Sequence, residues 1–425
     1  MAKFAIKGNQ FGKSGEIQVY GAKNSAIKLL PATLLINGKI TLHNIPDIED
    51  IRDMIRILES LGANIERISH HSYSIDTTSV HSNIIPSELA IKMRASFLFI
   101  APLLIRFGEV VFPHPGGDAI GRRPIDMTLE SLSLMGAEVI EENNQYIFRL
   151  PNKSLNGIEY VFKWISHTAT EHLIMAAVKA KGKTTIYNAA LEPEITALCD
   201  MLRLAGAKIT GDGTSEIIIE GVENLASNSL EYTNIPDRLE TGTFAILGAL
   251  TRSNIKVTGI EPKHLQVFWK FLDLVGVEYE LGEDFVQILA HNKPYKGLQV
   301  KTHEYPGFVT DLQAPFTLLL TQAEGTSVVQ ETIFDGRLFY TDVLNQMGAN
   351  IIMCDPYRVV INGPTKLYGK KIESPDIRAG MTFLLAALIS ERDSVIDNIH
   401  HIDRGYERIE ERLSQLGFDI IRIDD

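Results

Sequence analysis

Leu61-Gly62-Ala63-Asn64-Ile65 closes an apolar helix on glycine and opens a strand, and the same phrase returns five more times along the chain. The other copies are Met135-Gly136-Ala137-Glu138-Val139, Ala205-Gly206-Ala207-Lys208-Ile209, Val275-Gly276-Val277-Glu278-Tyr279, Met347-Gly348-Ala349-Asn350-Ile351 and Leu416-Gly417-Phe418-Asp419-Ile420. Subtracting successive glycine numbers gives gaps of 74, 70, 70, 72 and 69 residues. A near-constant period of this kind marks a repeat architecture. Ahead of the first glycine, Ile55, Leu58 and Leu61 fall at the spacing of one helix face, and glycine stands where the chain must turn left-handed before the strand. The pattern predicts six versions of one α/β unit.

A second signal runs in the same register. Each unit carries a long apolar helix, and the expected starts are Lys23, Arg94, Thr168, Glu240, Asp311 and Arg378, spaced 71, 74, 72, 71 and 67 apart. Five of the six are charged. A charged residue at a helix start serves as a cap or a solvent-facing group in many proteins. Equivalent positions of a repeated unit, however, lie in equivalent places, so these ends could gather around a shared cleft. Free N–H groups there favour an anion, and lysine or arginine at the same ends calls for one.

The remaining composition sets bounds. With 425 residues, 45% hydrophobic and 22% charged, the chain reads as an ordinary globular protein of two or three domains. A net charge of −12 without a basic run argues against nucleic acid or an anionic membrane as partner, while leaving room for one locally positive pocket. Cys199 and Cys354 stand in no metal-ligand or redox spacing and are expected as two small buried core residues in a reducing cytoplasm. The apolar stretches 96–105 and 381–389 are about half the length that spans a bilayer, and residues 1–10 lack a signal-peptide core, so a soluble cytoplasmic protein is expected. No Gly/Ser-rich or Pro-rich run marks a linker. The best breaks are Tyr20-Gly21-Ala22 and Thr233-Asn234-Ile235-Pro236, with three repeats between them and three after. The first twenty residues read as a strand pair that the repeat assigns to neither half.

Seven short motifs carry more specific information. They are Gly21-Ala22-Lys23-Asn24, Lys92-Met93-Arg94-Ala95-Ser96, Pro115-Gly116-Gly117-Asp118-Ala119-Ile120-Gly121-Arg122-Arg123-Pro124-Ile125-Asp126, Glu192-Pro193-Glu194-Ile195, Pro236-Asp237-Arg238-Leu239-Glu240-Thr241-Gly242-Thr243, Thr310-Asp311-Leu312-Gln313-Ala314 and His401-Ile402-Asp403-Arg404-Gly405-Tyr406-Glu407-Arg408. In order and spacing, over essentially the whole chain, they resemble the UDP-N-acetylglucosamine 1-carboxyvinyltransferases, a family of enolpyruvyl transferases. The resemblance implies an α/β (α+β) fold, a two-domain inside-out α/β barrel of six βαβαββ units with the active site in the interdomain cleft. It places the domains at 21–234, carrying a mobile lid, and at 1–20 plus 235–425. It also implies transfer of the enolpyruvyl group of phosphoenolpyruvate to the 3′-hydroxyl of UDP-N-acetylglucosamine through a tetrahedral intermediate. No cofactor, no metal and a monomer go with it.

Both substrates of that reaction are polyanions, and arginine binds phosphate bidentately. By resemblance, Lys23, Arg123 and Arg404 hold the phosphate and carboxylate of phosphoenolpyruvate, and Arg94 and Arg378 line the same pocket. Asn24 orients the sugar hydroxyl. Asp311 meets the attacking hydroxyl and serves in proton transfer, besides being placed to cap its helix. The glycine-rich segment 115–121 matches the lid, and Pro124, Ile125 and Asp126 match the region that receives uracil and ribose. Ser166, Asp335 and Asp376 complete the substrate-binding set.

Three departures qualify the likeness. Asp118 stands at the lid tip where most members carry the cysteine that fosfomycin alkylates; aspartate occurs there in some members. In Lys163-Trp164-Ile165-Ser166-His167-Thr168 the usual pattern is lysine then Ser-Val-Gly, cradling the diphosphate; here Trp164 takes the lysine's place, Thr168 the glycine's, and Lys163 is one position away. Thr128 replaces a usual histidine near the uracil site. Two rivals therefore stay open: an enolpyruvyl transferase with another uridine nucleotide or acceptor, and a non-catalytic nucleotide-sugar-binding regulator. The sibling 5-enolpyruvylshikimate-3-phosphate synthase fits less well, since the Gly21 to Asn24 and His401 to Glu407 motifs are not that enzyme's.

A carboxylate is a far weaker nucleophile toward an epoxide than a thiolate. The protein is therefore expected to resist covalent inactivation by fosfomycin, and Asp118→Cys to become sensitive. If Asp118 is the general acid for the methylene carbon, Asp118→Asn loses about 10²- to 10⁴-fold in rate. Time-dependent activity loss, with intact-mass detection of the adduct, checks both.

Overall fold

The computed structural model describes residues 2–113, 116, 125–226 and 229–424. Among them the chain forms two compact units, residues 21–235 and residues 2–20 with 236–424. Each has its own hydrophobic core.

The six glycines of the repeated phrase all adopt positive φ: 101° at Gly62, Gly136 and Gly206, 93° at Gly276, 113° at Gly348 and 84° at Gly417. Two hydrogen bonds recur at each end. The Gly62 N–H donates to the Glu59 carbonyl at 2.9 Å and the Ala63 N–H to the Leu58 carbonyl at 3.0 Å, and the same pair is formed through Gly417 and Phe418. This closure requires a left-handed residue after the helix, which side chains with a Cβ resist. The glycine thereby aims the chain into its strand.

The strands share one arrangement. In the unit 21–235, Leu230–Thr233 lies parallel to Lys39–His43, which pairs antiparallel with Ser72–Asp76, and that strand with Asn64–Ser69. Glu159–Val161, Lys183–Tyr187, Glu216–Glu220 and Lys208–Thr210 repeat the order. Glu109–Pro113, Gln145–Arg149 and Glu138–Glu142 reproduce its antiparallel part, with a parallel bridge from Ile84 to Val111. In the other unit the sets are Ser14–Gln18, Asn254–Thr258, Phe285–Leu289 and Glu278–Leu281; Gln299–Lys301, Ala323–Gln330, Arg358–Gly363 and Ile351–Asp355; and Lys371–Glu373, Ser394–Asp397, Lys3–Ile6 and Ile420–Ile423. In every set the last-named strand follows a glycine-closed helix.

Residues 1–20, expected as a strand pair, instead give one strand to each of two sheets: Lys3–Ile6 joins Ser394–Asp397 and Ile420–Ile423, while Ser14–Gln18 joins Asn254–Thr258. Their partners lie hundreds of residues away, which local pattern does not reveal. Cys199 is buried as expected, but Cys354 is exposed on its strand.

The long apolar helices lie at the centre of each unit. Arg238–Leu250 and Ile377–Ile389 are buried along their whole length and pack on one another and on Gln313–Leu320. A helix apolar on all sides belongs in an interior, and each fully buried Leu or Phe there contributes roughly 1.5–3 kcal/mol. Their first turns bring charged residues inside with them. No helix among the described residues is long and apolar enough to cross a membrane.

The glycine closures predict a graded response. Gly206→Ala, where an added Cβ meets nothing within 4 Å, carries only the backbone penalty, about 1–2 kcal/mol. Gly348→Ala is expected to lose more, because its Cβ falls 2.6 Å from the Lys366 carbonyl oxygen. Denaturant midpoints of the two variants test the order.

Candidate active site

In the unit 21–235, Lys23 is the first residue of the helix Lys23–Ala32. Its ammonium lies 2.7 Å from Asp50 Oδ2, both side chains being under a tenth exposed. Asp50 sits in the first turn of Glu49–Ser60, where the helix dipole favours an anion. Asn24 follows Lys23, half-buried. Arg94, also half-buried, opens the 3₁₀ turn Arg94–Phe99 that leads into Ile100–Phe107. Ile125 precedes the helix Asp126–Leu134, and Asp126 is exposed at its start. Ser166 caps His167–Ala177, its Oγ accepting the Ala169 N–H at 3.3 Å, so Thr168 lies one residue inside the helix rather than at its first position. Asp118, Arg123 and Pro124 lie outside the described residues, as does most of the lid segment.

In the other unit Asp311 departs from its expected capping role. It lies within the 3₁₀ turn Thr310–Leu312, has Val309 at the cap position and makes no capping hydrogen bond. Its carboxylate faces arginines instead: Oδ1 is 2.7 Å from Arg337 Nη2, and Oδ2 is 3.2 Å from Arg378 Nη2. Burial pushes the Asp311 carboxyl up, but Arg337 and Arg378, with Arg238 behind them, hold it well below the usual carboxylate range. The carboxylate is ionised at any working pH.

Both arginines are held from behind. Arg337 Nη1 donates to Thr310 Oγ1 at 2.8 Å, and that hydroxyl donates to Glu331 Oε2 at 2.9 Å. Glu331, fully buried, also accepts the Ile333 and Phe334 N–H groups, which fixes the loop leading to Arg337. Arg378 Nη1 donates to the Tyr406 hydroxyl at 3.0 Å. That hydroxyl is 3.0 Å from Thr243 Oγ1, whose own proton goes to the Leu239 carbonyl, so Tyr406 donates to Thr243. Burial pushes the Tyr406 phenol up, keeping it protonated and able to play both parts.

Of the residues expected in this unit, Asp311 and Arg378 are brought into direct contact. Asp376 caps Ile377–Ile389, accepting the Arg378 and Ala379 N–H groups at 2.8 and 2.9 Å, and so sets the backbone that aims Arg378. Asp335 is half-buried two residues before Arg337, and Arg404 is half-buried after the short helix His400–Asp403. Glu240 serves the fold: it pairs with Arg412 at 2.5 Å, both side chains 8% exposed. Sequence reasoning passed over Arg337, Glu331, Arg238 and Tyr406. The last two stand inside quoted motifs; Arg337 and Glu331 carry no periodic or motif signal.

At Asp311 two guanidiniums converge on one carboxylate, and Lys23 and Arg94 open elements of the other unit, donors that suit an anionic ligand better than a metal cation. Asp311→Asn strands two nearly buried guanidiniums and is expected to cost about 2–4 kcal/mol at neutral pH. A carboxyl whose folded pKa is depressed stabilises fully above its unfolded value, roughly 3.9, and loses that contribution as pH falls toward the folded value. The gap between wild type and variant is therefore constant from pH 7 to pH 5 and narrows below about pH 4. Denaturation midpoints across that range measure it.

Comparison with known proteins agrees in family. The sequence matches the EPSP synthase (3-phosphoshikimate 1-carboxyvinyltransferase) family over residues 12–413. A Helicobacter pylori (strain Shi470) protein described as UDP-N-acetylglucosamine 1-carboxyvinyltransferase is 41% identical over 411 residues, covering 97% of each chain. A Wolinella succinogenes protein of the same description is 41% identical over 403 residues, covering 95% of each. Among solved structures, the enolpyruvyl transferase NikO from Streptomyces tendae superposes with a TM-score of 0.90 at 22% identity, covering 99% of this chain and 98% of that one. EPSP synthase from Acinetobacter baumannii gives 0.76 at 18% identity over all of both chains. The two-unit α/β fold is thus that of the enolpyruvyl transferases, and this chain belongs to the EPSP synthase family.

Proposed function

We propose that this protein transfers the enolpyruvyl group of phosphoenolpyruvate to the 3′-hydroxyl of UDP-N-acetylglucosamine, with release of phosphate, as the committing step of peptidoglycan precursor synthesis. The observation that carries this reading is 41% identity over 97% of the chain with a relative described by that activity. The helix ends that carry Lys23, Arg94 and Arg378 support it, because a cation in a first turn opposes the helix dipole and calls for an anion.

The roles follow the residue types. Lys23, Arg123 and Arg404 hold phosphoenolpyruvate, with Arg94 and Arg378 beside them. Asn24 orients the acceptor hydroxyl and Asp311 receives its proton. Asp118 protonates the methylene carbon. Pro124, Ile125 and Asp126 receive uracil and ribose, Ser166 the diphosphate, and Asp335 and Asp376 complete the acceptor site. The reaction so written needs no cofactor. In this proposal six βαβαββ units close as an inside-out barrel, with domains at 21–234 and at 1–20 plus 235–425, and the protein acts as a cytoplasmic monomer.

One observation favours a second reading, transfer to another uridine nucleotide: Trp164, 47% exposed, stands where the diphosphate lysine is usual. Phosphate release on mixing phosphoenolpyruvate with UDP-N-acetylglucosamine and with other uridine nucleotides decides between them, and no release with any acceptor leaves the regulatory reading. Arg404→Ala is expected to lower kcat/KM for phosphoenolpyruvate about ten- to a hundredfold with little change in melting. Lys23→Ala should do the same and also destabilise the fold, because Asp50 is left buried without its ammonium partner. Steady-state kinetics and melting curves measured together separate the two effects.

A further inference from the structure

The departures in the segment 163–168 are backed by a buried charge cluster. Lys28, on Lys23–Ala32, places its ammonium 2.7 Å from Glu171 Oε1 on His167–Ala177, and both side chains are only 2% exposed. The same oxygen lies 3.0 Å from His167 Nδ1, on a side chain that is 47% exposed. Burial pushes the Glu171 carboxyl up, but Lys28 and His167 outweigh it and keep the group ionised. An ionised carboxylate only accepts, so the Nδ1–H of His167 donates to it. Nε2 is then the outward nitrogen, and no hydrogen bond from it to a described residue is present.

His172, on the same helix, makes a contrast. It is buried, its Nε2 donates to the Phe97 carbonyl at 2.7 Å, and burial pulls its pKa down to about 4. It is neutral, whereas His167 is held differently. Facing His167 are Glu171 on its own helix, Lys28 from Lys23–Ala32, and Glu192 at the head of Pro193–Leu204. Desolvation and Lys28 work against the imidazolium; Glu171 and Glu192 outweigh them and raise its pKa. The Lys28–Glu171 pair is neutral in itself and Glu192 offsets a protonated His167, so the cluster is neutral overall, with the imidazolium as the positive group on its exposed side. A cation in a helix's first turn opposes the dipole, a cost that a bound anion removes. Lys163, the other cation nearby, is 58% exposed and pairs with Glu130 at 3.3 Å.

We propose that the imidazolium of His167, oriented by Glu171 and Lys28, is the cationic ligand of the acceptor's diphosphate, taking the part of the lysine that Trp164 replaces. His167 would touch the ligand; Glu171 and Lys28 are positioning residues. This rests on the functional reading above, which places the diphosphate at this segment.

Calorimetric binding of UDP-N-acetylglucosamine to the full-length protein, from pH 6 to pH 9, is the test. Its diphosphate stays ionised throughout, so below the pH at which its uracil ionises the pH dependence reports the protein. His167→Ala should bind roughly 10- to 100-fold more weakly than wild type at pH 6.5, with unchanged melting and unchanged KM for phosphoenolpyruvate. Wild-type affinity should fall as pH rises through the His167 pKa, by up to about tenfold per unit. His167→Lys should restore affinity and flatten that profile. The double variant Lys28→Met, Glu171→Gln, which leaves no buried charge behind, should move the break to lower pH. Equal affinity of wild type and His167→Ala, or a loss seen in Lys163→Ala instead, overturns the inference while leaving the function intact. Failure of the wild type to bind UDP-N-acetylglucosamine at all overturns both.

Discussion

Burying the first turn of an apolar helix strips water from any charge that stands there, and the size of that desolvation penalty, several kcal/mol per ion, dictates what the neighbouring elements must supply. Glu240 shows the requirement met within the fold. Arg412 reaches it from Ile409–Gln415, lies over the rings of Tyr20 and Phe244, and donates to the Gln18 carbonyl at 2.5 Å. One ion pair thus fastens a strand end, a central helix and the C-terminal helix of one unit. Lys23 with Asp50 and Lys28 with Glu171 follow the same rule in the other. Asp311 differs, because Arg337, Arg378 and Arg238 bring it more positive charge than it neutralises. Where one cation meets one carboxylate, the charge serves structure; where two guanidiniums share a carboxylate, an incoming anion can compete for one of them.

The repeat was legible because its closure admits few residues. A left-handed position after a helix selects glycine, and six glycines at positive φ stand where the phrase recurs. Helix starts were legible to within a few residues: Lys23 and Arg94 open their turns, while Glu240 and Arg378 lie inside the first turn behind the capping residues Asp237 and Asp376. Long-range partners were not legible. Lys28 reads in sequence as one polar residue in an apolar helix, since Glu171 lies 143 positions away. Asp311 read as a proton-transfer carboxylate that also caps its helix; only the fold brings two arginines to it in place of the cap. Arg337 stands between Gly336 and Leu338 with no periodic signal of its own and is defined by what it meets.

The two carboxylates assigned to proton transfer face opposite difficulties. A general acid must hold a proton that an unperturbed aspartate gives up near pH 3.9, whereas Asp311, pinned by guanidiniums, is already a weak base. A carboxylate held far below its usual range has little affinity for the proton of a sugar hydroxyl. In the proposed reaction its basicity must rise when substrate arrives. A phosphate or carboxylate that takes one guanidinium's hydrogen bonds withdraws that stabilisation from Asp311 and adds a negative charge nearby, and both changes raise its proton affinity. The ion pairs seen here would then hold Asp311 as a poor base until phosphoenolpyruvate is in place, coupling proton acceptance to occupancy of the anion site. Tyr406 and Glu331 matter to this coupling because they hold Arg378 and, through Thr310, Arg337 at the carboxylate.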